Sequence, residues 1–179
     1  MYRRQLEIYE PKGRWQALLS LIDKYYEGKI PNPKIVNDSD NETLKEVVSL
    51  KNDMESNLNE FKFREALSNL IGISRLGNKH LADNEPWKIK NENPERVEQI
   101  LKTSFEIVTY LAVLSEPFLP FTSEKLKKMI GLNKTGWSNL DNLGSEIDFN
   151  FTITNKEMLF RRIEDSEIEF QIDKLKKGL

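Results

Sequence analysis

Phe63-Arg64-Glu65-Ala66-Leu67-Ser68-Asn69-Leu70-Ile71-Gly72-Ile73-Ser74-Arg75-Leu76-Gly77-Asn78-Lys79-His80-Leu81 is the stretch that decides the fold. Phe63, Ala66, Leu67, Leu70, Ser74, Gly77 and Leu81 recur at three- and four-residue spacing, which is the period of a helix with one inward stripe. The small residues at 74 and 77 leave room for a neighbouring helix to approach closely. Glu85-Pro86 ends the element, because the residue before a proline is pushed out of the α region.

Toward the N-terminus, Trp15, Leu18, Leu19, Ile22 and Tyr26 predict a first helix over residues 14 to 27, closed by Gly28 and Pro31. Residues 32 to 39 read as loop. Asp40 is a candidate cap for a second helix with Leu44, Val47, Val48, Met54 and Leu58 on its inner side. A fourth helix opens at Pro94 and runs to about Ser115, with Val97, Ile100, Leu101, Ser104, Val108, Leu111 and Leu114 inside. Pro117-Phe118-Leu119-Pro120-Phe121 forms a rigid corner. Thr122 or Ser123 then caps a short fifth helix carrying Leu126, Met129 and Ile130, with Gly131 at its end. Beyond Trp137 the signal weakens, and residues 138 to 157 read as loop. Ile168, Phe170 and Ile172 alternate as in a strand, yet Ile168, Ile172 and Leu175 suit a helix, and the tail is read as helical. The expected fold is all-α: an N-terminal segment over 1–13, an antiparallel helical bundle of about five helices over 14–135, and an acidic C-terminal tail over 136–179 that ends in a helix.

The chain of 179 residues is long enough for one core, and its 38% hydrophobic and 31% charged content suits a surface rich in helix. It has no cysteine, so disulfides, thiolate zinc sites and cysteine nucleophiles are excluded together. No membrane-spanning run and no secretory h-region are visible, and a cytoplasmic protein is the default expectation. The net charge of −2 hides an asymmetry. Residues 61 to 90 hold Lys62, Arg64, Arg75, Lys79, Lys88 and Lys90 against Glu65, Asp83 and Glu85, a balance of +3. Residues 138 to 173 hold nine acids against three bases. One face can therefore meet phosphates while another repels them; an unevenly charged solvated surface is the plainer reading.

Catalytic chemistry has no support in the residues. His80 is the single histidine, with no second histidine or cysteine to share a metal and no clear serine partner for a triad. A structural or nucleic-acid-facing role is expected for it. Glycine-rich phosphate loops are absent, and carboxylate pairs such as Glu164 and Asp165 sit in an acidic run.

Five blocks, in order, carry a family resemblance: Tyr25-Tyr26-Glu27-Gly28-Lys29-Ile30-Pro31, Phe61 to Leu67, Gly77 to Lys88 with its Asn78 and Pro86-Trp87, Glu116 to Leu126 with Pro117-Phe118-Leu119-Pro120, and Leu159 to Asp165. Together the chain resembles the anticodon-binding domain of bacterial methionyl-tRNA synthetases over roughly residues 18 to 175. The resemblance implies a helical bundle that binds a methionine tRNA and reads its CAU anticodon. Trp87 matches the family tryptophan that stacks on an anticodon base. The residue types agree, since a tryptophan beside Lys88 and Lys90 is a stacking platform next to phosphate-binding charge; packing into an interhelical corner is the alternative. Asn78 matches a family asparagine, with an ordinary cap or interhelical hydrogen bond as its alternative. Arg75 and Lys79, four apart, are the phosphate-contact candidates.

The family also carries an asparagine and, four residues on, an arginine at the start of the first helix. Gly13 and Ala17 stand there in this chain, and neither side chain can hydrogen-bond a base. Arg14 and Gln16 are the candidate substitutes. The His-Ile-Gly-His-like and Lys-Met-Ser-Lys-Ser-like signatures of the synthetase catalytic domain are absent. Ligase activity, with its ATP and methionine, would thus belong to a catalytic domain outside this chain, and that domain is an expected partner. In the family the segment after the bundle returns toward the catalytic domain, so the acidic tail from Ser138 onward is expected to be the least well packed part. A helical protein–protein interaction domain that kept the fold and lost anticodon reading is the competing interpretation.

Overall fold

A computed structural model describes residues 14–33, 37–132, 135–142, 152–153, 159 and 163–177. Seven α-helices and one 3-10 helix lie within these residues: α1 Arg14–Tyr26, α2 Asp38–Asn59, α3 Phe63–Asn84, α4 Pro86–Ile89, α5 Pro94–Leu114, α6 Pro120–Met129, the 3-10 helix Trp137–Asn142, and α7 Asp165–Lys177. The all-helical expectation holds. α2 and α3 form a tight hairpin, and α5 packs against α1, α2, α3, α4, α6 and the 3-10 helix. Its surroundings explain why its burial exceeds a single stripe: Phe105, Ile107, Ala112 and Val113 are buried along with the expected Val97, Ile100 and Leu101, whereas Leu111 is only half-buried. Burial of Phe105 alone contributes about 2–3 kcal/mol.

Helix ends differ from expectation in instructive ways. The cap of α2 is Asn37, whose side chain accepts from the Ser39 N–H at 3.0 Å. Asp40 lies inside the first turn and is buried. α6 starts at Pro120 rather than after a Thr122 or Ser123 cap. Ser123 is buried, and its hydroxyl donates to the Ala112 carbonyl at 2.6 Å, tying α6 to α5. On α3, Ala66, Leu70 and Leu81 are buried as expected, together with Ile73, but Phe63 and Leu67 are exposed, lying about 60° and 100° round the helix from the fully buried Ala66. Val48 on α2 is likewise exposed; it lies a quarter-turn round from the buried Val47. Gly77 allows the close approach anticipated for it: a Cβ there would meet Ile107 Cγ2 at 2.9 Å.

Beyond α6 the chain is pinned rather than loose at the points described. Leu140 is buried, its carbonyl accepts from the Tyr110 hydroxyl at 3.2 Å, and Asp141 accepts from Lys51. Burial pushes the Lys51 ammonium down, but the hydrogen bonds and charges of Asp141 and then Glu55 outweigh it and hold the value above the ordinary one. Ile153 is buried, and its N–H donates to the Gly28 carbonyl at 2.9 Å. Gly28 has φ +78°, and a Cβ would stand 2.9 Å from the Ile153 carbonyl oxygen, so this contact requires glycine. α7, within the tail expected to be least well packed, has no buried residue; residues 143–151 and 154–157 of that tail lie outside the described residues.

Candidate nucleic-acid interface

Trp87 stands on the turn between α3 and α5, and the chemistry of that turn begins with its backbone. Glu85 takes a left-handed conformation, φ +40° and ψ 57°, which costs a non-glycine residue about 1–2 kcal/mol and needs support from its surroundings. Pro86, buried, starts the single turn of α4, and Ile89 packs against the core. Lys88 N–H donates to the Glu85 carbonyl at 2.8 Å, and Asn93 N–H to the Ile89 carbonyl at 2.8 Å. The turn is therefore fixed along its length, while the Trp87 side chain is 46% exposed. The ring is thus not buried as an interhelical plug would be, and part of it is open to solvent.

Charge around the ring is only partly available. Lys88 pairs with Glu85 at 2.9 Å, while Lys62, at the opposite end of α3, pairs with Glu60 at 2.5 Å. The Lys90 ammonium lies 4.7 Å from the Tyr25 ring centre and 4.5 Å from that of Tyr26. The Tyr26 phenol is pushed up to about 12 by burial first, then by the nearby Glu98 and Tyr25. Arg64, Arg75 and Lys79 are exposed, and no ion pair to them is found among the described residues. At about 100° per residue the three fall within about 60° around α3, forming a basic face opposite the core. The exposed Asp83 follows on the same face.

The other candidates are placed as follows. Asn78 is half-buried and engaged within the protein. Arg14 and Gln16 are in the first turn of α1; their side chains lie outside the described residues, as does Gly13. Ala17 is exposed. The contact of the Trp87 turn with α1 falls at Tyr25 and Tyr26, roughly 17 Å along the axis from Arg14, so this contact does not bring the two sets together.

Below the turn lies a polar cluster that sequence reasoning did not assemble. The Asp40 carboxylate, fully buried, accepts from both Arg96 guanidinium nitrogens, and from Nη2 at 2.9 Å. It also accepts from His80 Nε2 at 2.9 Å; a carboxylate only accepts, so Nε2 carries the proton. His80 Nδ1 is 3.1 Å from Ser104 Oγ, which makes the histidine's role structural. Arg96 Nη2 donates to Asn84 Oδ1 at 2.8 Å. Among the described residues no cluster of metal-binding side chains occurs, and no helix is long and apolar enough to cross a membrane.

An all-helical bundle of this connectivity is also found in solved methionyl-tRNA synthetases. The apo form of the Mycobacterium tuberculosis enzyme superposes with a TM-score of 0.80 at 20% identity, over 90% of this chain and 34% of that one. Its complex with methionyl-adenylate gives 0.75 at 21% identity, over 82% and 30%. The fold is thus that of a synthetase's helical portion. The family described as the anticodon binding domain of methionyl tRNA ligase matches residues 30–176, and the chain belongs to it. The methionine–tRNA ligase of Bacteroides fragilis (strain YCH46) is 43% identical over 155 residues, and that of Flavobacterium psychrophilum 44% over 156. In each case the match covers 87% of this chain and 23% of the relative, so the chain spans about a quarter of their length.

Proposed function

We propose that this chain binds the anticodon arm of a methionine-acceptor tRNA, stacking Trp87 on a base of the CAU loop while Arg75 and Lys79 hold phosphates. It serves a methionine–tRNA ligase in the cytoplasm, and the catalytic portion, with its ATP and methionine, lies in polypeptide outside this chain. The observation that carries the reading is the exposed Trp87 ring on an otherwise fixed turn, in a chain of this family. Lys88 is a weaker phosphate candidate than its position in the sequence suggests, because Glu85 already neutralises it. Asn78 supports the surface from within α3, and Arg14 and Gln16 stand in for the missing base-reading pair.

A second reading has one observation in its favour. Ala17 is exposed where the family places an arginine, as it would be in an interaction domain that no longer reads bases. The test is binding to a CAU stem-loop beside one with a changed anticodon, at low and moderate salt. Tighter binding to CAU supports anticodon reading. Equal, salt-steep binding to both indicates phosphate contacts alone, since these release counterions. Absence of binding to either favours the interaction domain.

A further inference from the structure

Arg96 joins the two ends of the Trp87 turn. Its guanidinium donates to Asn84, the last residue of α3, at 2.8 Å, and its backbone N–H donates to the Asn93 side chain that caps α5, at 3.0 Å. Asn84 in turn donates to the His80 carbonyl at 2.9 Å. The guanidinium is itself held by the buried Asp40 carboxylate of α2 in a two-pronged fork, with His80 on the same carboxylate. Three helices thereby meet at one side chain, and the segment between Asn84 and Asn93 cannot splay without breaking it. Lys90 against Tyr25 and Tyr26 adds a tie to α1.

We infer that the Asp40–Arg96 fork is a clamp that positions Trp87 for RNA, so that Arg96, Asp40 and Asn84 are positioning residues although none is presented as a base contact. The inference rests on the stacking role proposed for Trp87. A fork is needed because one cation must satisfy a carboxylate and an amide at once in fixed directions, which a lysine's single ammonium cannot do. Arg96→Lys keeps the charge opposite Asp40 and removes the fork. Asn84→Ala leaves the Asp40–Arg96 pair intact and cuts only its link to the turn.

The test is a double-mutant cycle on the full chain, read as the Kd for a CAU stem-loop at low salt, with a thermal melt of every variant. Arg96→Lys and Asn84→Ala should each weaken binding about tenfold, the size expected when a turn ordered in advance must be ordered on binding. In a Trp87→Ala background the same changes should cost less than about twofold, because nothing is left to position. An equal loss in both backgrounds, or no loss where Trp87 is present, overturns the clamp; Asn84→Ala decides if Arg96→Lys fails to fold. Should Trp87→Ala alone leave binding unchanged, the stacking role itself fails, and the clamp with it.

Discussion

At the scale of single residues, Asp40 shows how opposing effects settle a charge. Burial by itself pushes its carboxyl up, but hydrogen bonds from His80 and Arg96, and their charge, hold it below its ordinary value of 3.8. A depressed folded value contributes stability that is complete above 3.8 and is lost as pH falls through the folded value. Asp40→Asn should therefore flatten the acid limb of a stability–pH curve and cost about 3 kcal/mol at neutral pH, because Arg96 and His80 lose their anion. Urea titrations from pH 7 to pH 2 measure both; parallel acid limbs would contradict the assignment. Part of this was legible in the sequence. Asp40 and Lys51 occupy the same register as Leu44, Val47, Met54 and Leu58, and a charge at a core position signals a buried partner. The partners were not legible, since His80, Arg96 and Asp141 lie 40, 56 and 90 residues away along the chain.

At the scale of elements, close packing of α3 on α5 turns on Gly77. A methyl group there meets Ile107 Cγ2, a branch held near its backbone and slow to give way. Gly77→Ala gains up to about 1 kcal/mol in helix propensity. Overpacking costs about 1–3 kcal/mol, so a net loss near 1 kcal/mol is expected in denaturant unfolding. A stabilised variant would show that the two helices can slide apart. Periodicity found the long helices well because α2, α3 and α5 each bury a continuous stripe. Their ends were harder to read: Asp40 and Ser123 are good capping types, but tertiary partners claimed both. The turn that carries Trp87 was legible as Glu85-Pro86-Trp87, whereas pairing of Lys88 with Glu85 and the seat of Lys90 on two tyrosines depend on side-chain geometry.

For the whole molecule, stability is expected to be uneven. α5 is enclosed by its neighbours, while α7 leaves Ile168, Phe170, Ile172 and Leu175 exposed. Amides of α5 should exchange with solvent only through global unfolding, and those of α7 at rates near an unstructured peptide. Removing residues 165–179 should leave the melting temperature almost unchanged; a drop of several degrees would mean that α7 packs more firmly than its exposure indicates. The apolar stripe on α7 was legible, but its lack of a buried residue was not, because amphipathicity is the same whether or not a partner is present. The proposed function depends on an RNA base stacking on Trp87. The direct measurement is the Kd of Trp87→Ala for a CAU stem-loop, beside its melting temperature. Stacking predicts a loss of about 1–3 kcal/mol in binding with the melt unchanged. Unchanged binding, or a loss matched by unfolding, would contradict it.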